Sequence, residues 1–577
     1  MHPGVQPIQF NAASDALPTS TIAVARKAFF RGELGACLEA LDSTNSLSAG
    51  ERREAILLRA RVLLRRYQFN DAIALLTPVL PTFGSVDEAC TARMLHGIAV
   101  ARGGEVERGL ALLNDLGNAA RTLEPHPTIR AEIAYWTAFA YWLKRDYRST
   151  LECAVVAEEG HADVISVRAA TLRGYVAAAN ERYPEALKLF RWALEAYWKC
   201  RERDDDLVGR IALQISTYEL ALRSATVAGT HDMPPGLARV PDDCVGVPVT
   251  FRLQMAAFDA WLYALDGERR AAYDMVRRSE NLAPTNAWRV WALANRALIS
   301  NAFGDVDIAY VFAKNAAELS ADVDWNATCD EERIGLLLTA EALSRTDPAS
   351  AGEALGRYDD LTSEIDHSLL LHDDVRLWIL ETWVHGLVAR IEGAATTAWQ
   401  AFKEVYDTAK RLGLLWQAAQ ALIELDTTLI ATRPRGDAYL QAAALLVRAN
   451  FPHSFLARRL GWWARIYSDP IATTLSPKPR EVLRHYLSAR SAKEIASLLG
   501  ISEHTIKDYT ETLFRAFSVH SKEQLLVACY ERGIGSPSWW DATGEPNPPS
   551  IAGEKGEKSS PKRRRRKATR RAASDVA

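Results

Sequence analysis

The side chains best placed to do chemistry lie at the C-terminal end of this 577-residue chain. Between Lys562 and Arg571, eight of ten residues are cations and none is a carboxylate. That density can neutralise several phosphates and gives salt-sensitive, sequence-independent affinity for a polyanion. Upstream, Thr505, Lys507, Asp508 and Glu511 fall within two helical turns. They offer hydrogen bonds and ion pairs, and a carboxylate among them can accept from cytosine N4 while repelling phosphate. No set suited to covalent chemistry accompanies them. Gly553-Glu554-Lys555-Gly556-Glu557-Lys558-Ser559 echoes a phosphate-binding loop, but its spacing is wrong and no strand precedes it. No zinc-protease helix, nucleophile elbow or dinucleotide fingerprint occurs. The seven cysteines are scattered without zinc spacing and are expected to be buried, reduced thiols. Isolated histidines such as His96, His385 and His485 are expected to be core or surface residues. The expectation is no enzyme, no cofactor and no metal.

The polar residues need short helices to present them, and the stretch from Leu475 to Gly533 spells those out. Ser476 is placed to cap a first helix with Pro477 at its first position, where a missing N–H costs nothing. Val482, Leu483, Tyr486 and Leu487 form its apolar face. Ser491-Ala492-Lys493-Glu494 is a capping box that opens a second helix burying Ile495, Leu498 and Leu499. Gly500 suits its left-handed stop. Ser502 caps a third helix with Ile506, Leu513 and Phe517 inward. Ser521-Lys522-Glu523-Gln524 is a further capping box, opening a fourth helix through Leu525, Leu526 and Cys529. Two short helices joined by a tight glycine turn, the second presenting polar residues outward, make a helix-turn-helix.

Those residues resemble the C-terminal DNA-binding domain of LuxR-type transcriptional regulators. The resemblance rests on Leu475, Arg480-Glu481-Val482-Leu483, Lys493-Glu494-Ile495-Ala496, Ile501-Ser502, Thr505-Ile506-Lys507 and Val519. It implies double-stranded DNA as partner, a third helix in the major groove and a homodimer through the fourth helix. It also implies DNA contacts from Lys493, Ser502, His504, Thr505, Lys507, Asp508, Glu511 and Arg515, with the tail residues Lys562, Arg563, Arg564, Arg565, Arg566 and Lys567 adding backbone affinity. The sequence departs from the family pattern at Pro479, Ala489, Ala492 and Tyr509. Asp508 and Glu511 place carboxylates where many relatives carry neutral or basic groups. A non-enzymatic interaction scaffold whose helix-turn-helix no longer binds specific DNA is the alternative those carboxylates leave open.

Ahead of this stretch, from about Thr21 to Tyr467, apolar residues recur at three- and four-residue spacing with few strand signals. An offset of twelve links small residues: Ala60 with Ala72, Gly97 with Gly109, Ala138 with Thr150, Ala260 with Ala272, Ala297 with Ala309, Ala342 with Ala354, and Gly386 with Ala398. Gly174, Ala186, Phe190 and Ala193 repeat the theme, the large residue filling the gap between helices. Starts recur every 36 to 45 residues, the period of two-helix solenoid repeats, and the pattern resembles degenerate tetratricopeptide repeats.

The expected fold is all-α. An irregular N-terminus (1–20) leads to a tetratricopeptide-like α-solenoid (21–467), open to division near 229–249. A linker (468–474) joins it to a four-helix LuxR-type domain (475–533), followed by a disordered linker and basic tail (534–577). Tryptophan pairs such as Trp136 with Trp142, Trp192 with Trp198, and Trp288 with Trp291 are expected to pack between repeats. The net charge of −3 conceals a body of about −10 before residue 475, the polarity of a chain whose far end meets a polyanion. No secretory leader and no run of 18 apolar residues appears, so the expectation is a cytoplasmic protein with no membrane contact. Its solenoid would bind an unknown protein or small-molecule signal.

Overall fold

The computed structural model describes residues 21–43, 47–159, 164–200, 204–222, 239–241, 244–363, 375–428, 438–451, 453–457, 460, 469–487, 491–532 and 534. The expected irregular N-terminus and the basic tail lie outside them. Every regular element among the described residues is helical. The chain divides into two units, 1–544 and 545–577, and all of the second lies outside the described residues.

The body is a succession of helical hairpins, from Thr21–Phe30 with Leu34–Asp42 to Leu415–Thr427 with Ala438–Asn450. The twelve-residue offset marks the crossing within each hairpin. Ala60 and Ala72, Ala138 and Thr150, and Ala260 and Ala272 are all fully buried. Gly174 is small because Phe190 lies against it: a Cβ there would stand 2.6 Å from the ring. Gly386 and Phe402 repeat the contact at 2.8 Å. Seven residues after the first small residue, the backbone turns left-handed, at Gly104, Gly267, Gly304 and Gly393 but also at Tyr67, Arg145 and Glu181. Glycine enters that region without strain; the other three do not.

Successive hairpins curl until residues far apart in sequence meet. Arg65 and Arg168 donate to Asp204 at 2.6 and 2.7 Å, and the Gly246 N–H donates to Asp205 at 3.1 Å. The described part of the segment near 229–249 is therefore packed onto the body. Arg239 is buried and paired with Glu219, and one core cluster runs from Val164 to Leu425 across it. Trp288 and Trp291 are core residues as expected, whereas Trp192 is 48% exposed and does not pack between repeats. Trp136 and Trp142 belong to an aromatic run that continues through Phe139, Tyr175 and Phe190 to Tyr218. Five cysteines are buried as expected; Cys153 is only partly so, and Cys329 is exposed.

Candidate nucleic-acid interface

Where a linker is expected over 468–474, Asp469 instead caps a short helix, Pro470–Thr474, accepting from the N–H groups of Ile471 and Ala472. Ala472 is fully buried, and Asp469 also takes the Arg532 guanidinium at 2.9 Å. The Arg480 guanidinium donates to the carbonyls of Ala472 and Leu475, tying this turn to the helix that follows.

The first helix of the motif is Pro477–Leu487, starting at its proline and burying Val482, Leu483, Tyr486 and Leu487. The second, Ala492–Leu499, opens on the capping box: the Ser491 N–H donates to Glu494 at 2.6 Å, and the Glu494 N–H to the Ser491 hydroxyl at 3.3 Å. It closes on Gly500 at φ 61°. The third, Glu503–Phe517, is capped by Ser502, whose hydroxyl accepts from the Thr505 N–H at 3.1 Å. Tyr486 and Thr510 share a hydroxyl hydrogen bond at 2.8 Å that fixes the third helix on the first. The fourth, Lys522–Glu531, departs from expectation in one detail. Ser521 accepts from the Gln524 N–H, but Gln524 reaches back to the His520 N–H, one residue earlier than a reciprocal box requires.

Ile506, Leu513 and Phe517 turn inward on the third helix. The same 3.6-residue period leaves Ser502, His504, Lys507, Asp508, Glu511 and Arg515 exposed, with Thr505 half-buried at the edge. Lys493 is exposed on the second helix. None of Lys493, Lys507, Asp508, Glu511 or Arg515 pairs with another described charge. The third helix therefore offers an unneutralised face of two cations and two carboxylates, with Glu503 adding a third at its start. Tail residues Lys562 to Lys567 lie outside the described residues.

The motif does not stand apart from the body. Its core continues into Leu265, Ala419, Leu422, Leu440, Val447 and Phe451. Arg484 donates to Asp426 at 2.6 Å, both groups being buried. Two residues earlier on the same body helix, buried Glu424 accepts from Arg345 at 2.7 Å and pairs with Arg390. Burial alone would raise the Glu424 carboxyl, but the two guanidiniums more than offset it and hold it below the usual range. Sequence pattern gave no sign of these partners, since they lie dozens of residues apart.

Residues 473–529 match the model of the bacterial regulatory proteins of the luxR family. They form a LuxR-family domain. The match supports a DNA-binding transcription regulator, and the body in front of the LuxR-family domain is a tetratricopeptide-like helical array. No curated protein matches the chain by sequence. Among solved structures, a Rap protein complexed with competence and sporulation factor aligns at 14% identity over 71% of this chain and 99% of its own, with a TM-score of 0.37. The APC/C hetero-tetramer Cut9–Hcn1 aligns at 15% identity over 71% and 96%, with a TM-score of 0.24. Likenesses this faint bear on neither the finer fold nor the function. No helix among the described residues is long and apolar enough to cross a membrane.

Proposed function

We propose that this chain regulates transcription by binding promoter DNA through the helix Glu503–Phe517, under the control of a signal bound by its helical-repeat body. The observation that carries this reading is the exposed, unpaired polar face of that helix, on a rigid, fully capped helix-turn-helix. Thr505 and Lys507 contact phosphate or base edges, His504, Asp508, Glu511 and Arg515 read or adjust the groove, and Ser502 and Lys493 hold the backbone beside it. Two motifs act together as a homodimer through the fourth helix, where Val527 is 56% exposed. The cations Lys562 to Lys567 add sequence-independent affinity.

Asp508 and Glu511 favour a second reading, a scaffold whose motif binds protein instead, because both carboxylates repel phosphate. Fluorescence anisotropy with the full chain separates the two. On a duplex from its own upstream region, log affinity is expected to fall linearly with log salt, and deletion of Lys562–Arg571 to flatten the slope by several units. Specific binding must survive that deletion. Affinity for upstream and scrambled duplexes that is equal, and vanishes with the tail, supports the scaffold.

A further inference from the structure

Five arginines gather in the first half of the body, and four of them face carboxylates. Arg61 pairs with Glu132, Arg65 and Arg168 with Asp204, and Arg210 with Asp206. Arg102 is the exception. Its guanidinium donates to the Leu64 carbonyl at 3.3 Å and otherwise lies among rings, 5.2 Å from the centre of Tyr67, 4.7 Å from Phe69 and 5.8 Å from Phe139. Burial lowers its pKa, Tyr67 and Tyr135 oppose that, and Arg210 adds to it. A cation taken from water without a counter-ion is costly to hold, and one in an aromatic setting suits an anion with a flat face.

Arg102 lines an open surface groove of about 360 Å³ with Phe69 and the exposed residues Tyr67, Gln68, Asn70, Asp71 and Gly103. The volume is at the small end for a ligand site, and the groove is open to solvent. Tyr67 occupies the left-handed turn position at φ 60°, where most equivalent turns carry glycine, and its ring is 63% exposed and edge-on to Phe69 at 6.0 Å. Arg145 and Glu181 share this backbone conformation in other repeats; what is particular to Tyr67 is an aromatic ring beside Arg102. The one carboxylate in the lining, Asp71, accepts from the neutral Gln68 amide at 3.2 Å and keeps its charge; it is exposed, where solvent screens its repulsion of an anionic ligand.

We infer that this groove binds a small aromatic carboxylate, its carboxylate held by Arg102 and its ring laid against Tyr67 and Phe69. The site rests on the proposed sensing role of the body only for its consequence, a change in DNA affinity. Phenylacetate serves as the probe, with phenylacetamide and acetate as controls lacking the charge or the ring. In calorimetric titrations of the full chain, phenylacetate is expected to bind saturably and at least about tenfold more tightly than either control. Arg102→Gln should remove that preference and Tyr67→Ala weaken it. Arg102→Lys, which keeps the charge but not the flat fork, should recover only part, and serves if the Gln variant does not fold. Equal binding of phenylacetamide, undiminished binding by the folded variants, or no saturable binding of phenylacetate overturns the inference. DNA affinity measured on the same samples separates the claims. Binding of phenylacetate without any change in DNA affinity sinks the coupling and leaves the site; DNA binding intact without phenylacetate binding sinks the site alone.

Discussion

Lys507 and Asp508 are neighbours in sequence, both exposed on the third helix of the motif, and carry opposite charge. A lysine on phosphate contributes equally to every sequence, whereas a carboxylate accepting from a base edge distinguishes bases. Lys507→Ala is therefore expected to weaken binding about uniformly across a panel of duplexes and reduce the salt slope by about 1. Asp508→Ala should leave the slope similar or steeper and re-rank the panel, with about 1–3 kcal/mol of discrimination lost at one position. Uniform, equal losses from both changes would contradict groove entry by this helix. A different residue-scale effect lies in the body, where Glu341 accepts from the Trp383 indole at 3.0 Å. Burial pushes its carboxyl up to about 7, against the pull of Trp383 and Arg345. A carboxyl whose folded pKa exceeds its unfolded one costs stability as pH rises between the two values and beyond. Glu341→Gln, which can still accept from Trp383, should match the wild type in thermal melts near pH 5 and exceed it near pH 8. A melting difference independent of pH would contradict the assignment.

Among the elements, the helix Leu415–Thr427 joins body and motif, holding Glu424 toward Arg345 and Arg390 and Asp426 toward Arg484. Removing one member of a buried pair takes away much of what compensates the other's charge, at a cost of up to about 3–5 kcal/mol, while replacing both with apolar groups costs less. Arg484→Met and Asp426→Leu are each expected to lower the denaturation midpoint strongly, and the double variant to lower it less than their sum. Strict additivity would show that the pair does not couple the two parts. How much of this was legible depends on range. The capping box at Ser491, the stop at Gly500 and the small-residue offset from Ala60 to Ala72 are local and follow from backbone hydrogen bonding and volume. Helices of the motif and the hairpin register were readable for that reason. The Arg65–Asp204 and Arg484–Asp426 pairs were not, because the curl of the array sums small angles from many hairpins. The helical turn at 470–474 was also missed, since Ser468-Asp469-Pro470 reads equally as a linker or as a capped start. Of the candidate DNA-contacting residues, periodicity gave the outward face; the groove at Arg102 had only Tyr67, in a glycine's place, as its signal.

For the whole molecule, the last repeats and the motif share one hydrophobic core, which supports the exposed helix Glu503–Phe517 from behind. On the proposed reading, a signal that alters the packing of the repeats would act on the motif through this shared core. The acidic body, about −10 before residue 475, disfavours a polyanion along the repeats, so on the proposed reading DNA meets the C-terminal end. Hydroxyl-radical footprinting of the full chain on its own upstream DNA, near physiological salt, tests the central claim most directly. The account predicts two protected half-sites about one helical turn, roughly 34 Å, apart, retained when Lys562–Arg571 is deleted and shifted to higher protein concentration by Lys507→Ala. Diffuse protection that follows the tail, or no protection at all, would contradict it.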